Sequence, residues 1–192
     1  VPRIQTETLA EQREWRRSQL IDAAASIALE LGGQAITVAA VAQRAGLSRT
    51  SVYEYFASSA DLVADLVIEE LDGFTNYLAD EVGQCSEPRQ SLEAWIRGAL
   101  TYSADGRHLL AKALNSTALP DERVHQIRTA HRALLVPLIN SLEALKVADV
   151  NRALEFIQAV TNVSTKRIEA GQDAKGEIDY AIAFCTNGLA SI

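Results

Sequence analysis

The sequence predicts an all-α protein: a small N-terminal helix-turn-helix head followed by a larger helical body. Apolar residues recur at the helical period of 3.6 along nearly the whole chain. Only four Pro interrupt the pattern, and no Asn-Gly or Asp-Gly pair stands between strand-like alternations. With 192 residues the chain can bury one sizeable core, or one core with a small appended module.

Each element follows from local signals. In "AEQREWRRSQLIDAAASIALELGG" the residues Trp15, Leu20, Ile21, Ala24, Ile27, Ala28 and Leu31 share one expected face, and Gly32-Gly33 ends the helix. Thr37 is the expected N-cap of "VAAVAQRA", where Val38, Val41, Ala42 and Ala45 follow i, i+3, i+4, i+7. Gly46 stops that helix, and Ser48 can cap "RTSVYEYF", with Val52 and Phe56 inward. Ser58 precedes a long amphipathic stretch with Leu62, Val63, Leu66, Val67, Leu71 and Phe74 as its stripe. "GQCSEPRQS" reads as a connector whose Pro88 suits a first helical turn. Later helices are expected near 88–103, 106–117, 121–146, 149–170 and 176–190, with Pro137 kinking or dividing its helix.

Charge is unevenly placed. The formal net charge is −7, yet residues 1–60 hold six Arg against six acids, so the acidity lies beyond residue 60. A neutral head whose arginines gather on one side can still approach a polyanion. No apolar run reaches the roughly 20 residues a membrane span needs, and the charged N-terminus is unlike a secretory signal. With no Met in the chain, a natural start upstream is an expectation, and so is a cytoplasmic location. Cys85 and Cys185 lie far apart without metal-ligand spacing, which argues against a disulfide in a reducing compartment.

The chemistry concentrates in "QRAGLSRTSVYEYF", residues 43–56. Two short helices joined by a Gly-containing turn form a helix-turn-helix pattern. The first helix must be small-faced for the second to cross closely, which Ala39, Ala42 and Ala45 permit. Gly46 should sit at positive φ. Anchoring by Val52 and Phe56 leaves Arg49, Thr50, Ser51, Tyr53, Glu54 and Tyr55 partly outward. An arginine can meet phosphate or, bidentately, a guanine edge. Thr50 and Ser51 are short hydrogen-bonders, Tyr53 and Thr37 can donate O–H to phosphate, and Arg44 could touch the flanking backbone. The same pattern also describes an ordinary corner between two helices.

The text "AAASIALELGGQAITVAAVAQRAGLSRTSVYEYFASSADLVADLV", densest over "TVAAVAQRAGLSRTSVYEYF", resembles the N-terminal domain of the TetR/AcrR family of transcriptional regulators. The resemblance covers residues from about 14 to 70 and fades beyond 83. It implies a DNA-binding domain over 1–57 and an effector-binding and dimerisation domain over 58–192, linked by a helix from about 59 to 83. It also implies Ser48 to Phe56 as the recognition region, with Thr37, Arg49 and Tyr53 at DNA-facing positions. Many relatives carry a lysine at the start of the fourth helix, where this chain has Ser59; that serine or the helix N-terminus could still hold phosphate. Arg3, Arg13, Arg16 and Arg17 could supply the missing charge.

In the second part, Val150, Leu154, Ile157, Thr161 and Ile168, then Ile178, Ile182, Cys185 and Leu189, form two apolar stripes. They fall where members of the family build a four-helix dimer interface, and they could equally complete a monomer core. A two-fold dimer would set two recognition helices one DNA turn apart on a palindromic operator. The family resemblance implies a small, largely apolar effector between the helices of the body. Phe74, Tyr77, Trp95, Tyr102, His108, Asn115, His131 and Phe156 are the expected lining, each also compatible with plain packing. No cofactor or metal is expected: His125 and His131 are six apart and His108 has no ligand at i+3 or i+4. No G-x-S-x-G, H-E-x-x-H, C-x-x-C or phosphate loop points to an enzyme. The expected function is therefore a dimeric, effector-responsive regulator, most naturally a repressor; the alternative is a helical binding or scaffold protein that keeps the head without reading DNA.

Overall fold

A computed structural model describes residues 8–114 and 119–189, and among these the chain is all-α, with ten α-helices and no strand. The helices are α1 (Leu9–Leu31), α2 (Val38–Ala45), α3 (Arg49–Tyr53), α4 (Ser59–Gly83), α5 (Pro88–Ala104), α6 (Leu109–Leu114), α7 (Asp121–Ala133), α8 (Val136–Ala144), α9 (Val150–Glu169) and α10 (Ala174–Leu189), with a 3-10 turn at Gly33–Ala35. None of them is long and apolar enough to cross a membrane.

The helices divide into two compact units. The first comprises the chain up to Glu70 together with Leu110–Ile127, and the second comprises Leu71–Leu109 and Arg128–Ile192. The first unit thus extends past residue 57 into α4 and borrows α6, because Leu110 and Leu114 are buried in its core. Both α4 and α7 run through a division point.

In the first unit α1 begins with a capping box: Thr8 Oγ1 accepts from the Glu11 N–H, and the Glu11 carboxylate accepts from the Thr8 N–H. This T-x-x-E signal is visible in the sequence, though apolar periodicity alone does not use it. Leu20, Ile21, Ala23, Ala24, Ile27 and Ala28 face inward. Trp15 and Leu31 do not, being exposed near the ends of the helix, beyond the reach of the packed turns.

Pro137 divides its helix rather than kinking it. Continuing α7 would need a hydrogen bond from residue 137 to the Ala133 carbonyl, which proline cannot make. The chain instead turns through Leu134 and Leu135 and restarts as α8 with Pro137 in its first turn. In the second unit Leu78, Leu92, Ile96, Leu100, Leu138, Leu142 and Ile157 are fully or almost fully buried. Gly98 permits a close crossing there, since a Cβ would lie 3.1 Å from Leu78 Cδ2.

The turn between α2 and α3 is set by backbone geometry. Gly46 has φ 68° and ψ 29°. The Leu47 N–H donates to the Ala42 carbonyl at 2.9 Å and the Gly46 N–H to Gln43 at 3.3 Å, the paired bonds of a Schellman end. An added Cβ at Gly46 would meet no atom within 4 Å. Gly46→Ala should therefore destabilise only through the left-handed backbone, by about 1–2 kcal/mol. A thermal melt of that variant indistinguishable from the parent would contradict this account.

Candidate nucleic-acid interface

The surface around α3 is built by short-range caps over a buried anchor. Val52 and Phe56 are 0% and 3% exposed and pin the segment to the core of the first unit. Ser48 Oγ accepts from the Ser51 N–H at 3.0 Å and sits 2.9 Å from Ser51 Oγ. Thr37 Oγ1 accepts from the Ala40 N–H at 3.1 Å, capping α2 while its O–H remains able to donate outward. The anchor and the caps leave Arg49, Thr50 and Tyr53 facing solvent, with Tyr53 58% exposed. Thr37 and Ser48 are exposed as well; Ser51 and Tyr55 are half-buried.

Other expected contacts are placed differently. Arg44 forms a two-pronged bond to Glu30, Nη1 to Oε1 at 2.8 Å and Nη2 to Oε2 at 2.7 Å, and also reaches Ser26 Oγ. Hydrogen bonds donated to Glu30 by Arg44 and, at 3.1 Å, by Ser26 Oγ lower the pKa of its carboxyl to about 2. A phosphate at Arg44 would have to compete with this partner. At the start of α4, Ser58 Oγ accepts from the Asp61 N–H at 3.1 Å and donates to the Asp61 carboxylate at 2.8 Å. The α4 N-terminus is thereby capped, and an acidic group stands in its first turn, beside half-buried Ser59. That arrangement disfavours an anion at Ser59.

Arg17 is also committed. It donates to Asp65 Oδ2 at 2.7 Å and Glu69 Oε1 at 2.6 Å, and its guanidinium lies over the Phe56 ring at 5.8 Å. The other Asp65 oxygen accepts from Arg123 of α7. Asp65 therefore joins α1, α4 and α7 within the first unit, a role that periodicity could not reveal because the partners are 48 and 58 residues away. Arg3 lies outside the described residues.

Of the expected effector residues, Phe74, Tyr77 and Tyr102 come together in the second unit, and Trp95, His108, His131 and Phe156 stand apart from them. Phe74 stacks on Tyr102 at 4.2 Å, Tyr77 tilts against Tyr102 at 5.6 Å, and the Arg107 guanidinium lies 4.9 Å from the Tyr77 ring centre. Burial pushes the Tyr77 hydroxyl above its usual range, with help from Glu81. His108 meets Glu169 Oε1 through Nε2 at 2.7 Å, while its Nδ1 is buried without a partner. Trp95 belongs to the core: it is 5% exposed and its Nε1–H donates to the Leu134 carbonyl at 3.0 Å. His131 is exposed on α7, and Asn115 lies outside the described residues. Phe156 projects from α9 and is 66% exposed.

The two C-terminal stripes face inward. Ile157, Thr161, Ile178, Ile182 and Cys185 are buried, and Val150, Leu154, Ile168 and Leu189 pack against the same core. They are inner faces of α9 and α10, because the strongest apolar periodicity marks what the monomer buries first. The outward face carries Phe156, Val163, Tyr180 and Phe184 instead, each more than half exposed. A groove of about 400 Å³ between Phe156, Val160, Phe184 and Gly188 runs along it. Both cysteines are free thiols, and burial pushes the Cys185 thiol up to about 11. Among the described residues no three His, Cys, Asp or Glu gather as metal ligands.

The small head with a solvent-facing helix-turn-helix and the helical body form a fold that this chain shares with solved transcriptional regulators. The family model for bacterial regulatory proteins of the tetR family matches residues 20–66, within the head of this chain. No curated protein sequence matches significantly. Among solved structures, superantigen PfiT aligns with TM-score 0.79 at 20% identity, over 89% of this chain and 96% of its own. A TetR-like transcriptional regulator from Rhodococcus sp. RHA1 aligns with TM-score 0.71 at 21% identity, over 92% and 97%. The transcriptional regulator FadR from Bacillus subtilis, in complex with stearoyl-CoA, aligns with TM-score 0.67 at 19% identity, over 90% and 95%. At these identities the likeness is one of fold.

Proposed function

We propose that this chain is a dimeric transcriptional repressor that leaves a palindromic operator when a small, largely apolar effector binds. The observation that carries the reading is the outward set Arg49, Thr50 and Tyr53, held on an anchored and capped segment inside the family-matched head. Base readout needs side chains of this kind presented on a rigid element, since phosphate contacts position a reader and base contacts specify the sequence. Mobility shift of genomic fragments at low salt tests it: retention of particular fragments over bulk DNA supports the reading, and uniform failure to retain any refutes it.

The outward face of α9 and α10 supports the dimer. Tyr180 and Phe184 stack at 6.4 Å beside Phe156 and Val163, and an unpartnered aromatic face of this kind favours burial against a second copy. The combined change Phe156→Glu and Phe184→Glu should give a monomer by sedimentation at micromolar concentration, with weakened binding to the retained fragment. Unchanged sedimentation of a dimeric parent would move the interface elsewhere.

For the effector, the support lies in the Phe74–Tyr77–Tyr102 cluster of the second unit, an aromatic group with one cation beside it. Effector control would act through helices shared by both units, α4 and α7, and its size is bounded by the effector's differential affinity for the two states. A second reading, a helical binding protein that does not read DNA, is favoured by one fact: a chain of like fold is named as a superantigen. The mobility-shift experiment separates the two.

A further inference from the structure

Two arginines on α1 lack the acidic partners that occupy Arg17 and Arg44. Within residues 8–70 the arginines are Arg13, Arg16, Arg17, Arg44 and Arg49. Arg17 is neutralised by Asp65 and Glu69, and Arg44 by Glu30. Arg13, Arg16 and Arg49 carry no ion pair among the described residues. Arg49 belongs to the exposed face of α3. The other two stand three apart on α1 and so share a face.

Their surroundings form a polar cleft of about 390 Å³ lined by Leu9, Gln12, Arg13, Arg16, Glu54 and Tyr55. The Arg13 guanidinium rests over the Tyr55 ring at 5.9 Å, which restrains it without neutralising it. Neighbouring carboxylates on α1 are engaged elsewhere: Glu11 closes the capping box with Thr8, and Glu14 lies 3.6 Å from Arg17. Glu54 lines the cleft but pairs with neither arginine, so two cations face one carboxylate.

Position then selects the anion. Arg49 opens α3, and Glu54 and Tyr55 follow directly on Tyr53, its last residue. The cleft therefore stands at the opposite end of α3 from Arg49. A duplex contacted by the exposed face of α3 presents backbone phosphates at both ends of it.

We propose that the Arg13–Arg16 face of α1, with Gln12 and Tyr55, is a second backbone-binding site that holds a DNA phosphate at the far end of α3. This inference rests on the DNA-binding reading above. The site supplies charge that Ser59, Arg44 and Arg17 do not offer. It contributes affinity without sequence preference, because phosphates carry no base information.

The test is the salt dependence of binding for the R13Q/R16Q double variant, measured with the genomic fragment retained by the parent and with random-sequence duplex DNA. Each phosphate contact contributes about 0.9 to the slope of log affinity against log salt. The double variant should show a slope shallower by about 1 to 2 and affinity lower by roughly tenfold or more at low salt, alike on both DNAs. R13K/R16K should restore most of the slope, and circular dichroism should show an unaltered fold because Arg13 is exposed, Arg16 is half-buried and neither belongs to the core. A slope and affinity equal to the parent's on the retained fragment overturn the site while leaving the DNA reading intact. A loss confined to the retained fragment also overturns it, by making the contact one of base readout. A parent that binds neither DNA removes both readings.

Discussion

Arg49→Ala should lower affinity for the retained genomic fragment by about 1–3 kcal/mol and relax preference at one base-pair position. The size follows from geometry: Arg49 is exposed, bears no carboxylate partner among the described residues, and sits on a segment fixed by buried Val52 and Phe56. Nothing in the fold leans on it, so the melting temperature should be unchanged. Binding isotherms against a panel of single-position variants of the fragment check this. Uniform weakening across the panel with a shallower salt slope would assign Arg49 to a phosphate instead. Equal affinity throughout would remove Arg49 from the interface.

The second large effect concerns stability. Trp95→Ala should cost about 3–5 kcal/mol, the range for deleting a large buried aromatic, and should leave the Leu134 carbonyl without its indole donor. Against a total stability of about 5–15 kcal/mol, that is a substantial fraction. Denaturant unfolding measures it directly. A variant as stable as the parent would mean that Trp95 lines a cavity after all, and its inward placement would need revision.

The turn around Gly46 shows how much a local signal can carry. The left-handed glycine, the Thr37 and Ser48 caps and the anchors Val52 and Phe56 are each visible in "TVAAVAQRAGLSRTSVYEYF", and each is found where the spacing puts it. These features depend on residues within a few positions of one another, where covalent geometry limits the choices. The division at Pro137 was legible for the same reason. The failures are of another kind. Arg44 and Arg17 look free in the sequence, but Glu30, Asp65 and Glu69 hold them, from 14 to 52 residues away. The C-terminal stripes left two readings open, an intersubunit surface or a monomer core, because one stripe cannot say whether its own chain or another covers it; the core of the second unit covers this one.

By itself the sequence determined that the chain is helical, where its early helices begin and end, and that a small head presents Arg49, Thr50 and Tyr53 on a capped and anchored segment. Periodicity, capping and the φ of one glycine are local properties, and local chemistry is enough to set them. Only the tertiary structure decided which arginines remain unpaired, that Leu110–Ile127 joins the head, that Trp95 is core, and which face of α9 and α10 stays open. Those outcomes depend on what packs against each side chain across long separations in the chain, which no local pattern encodes.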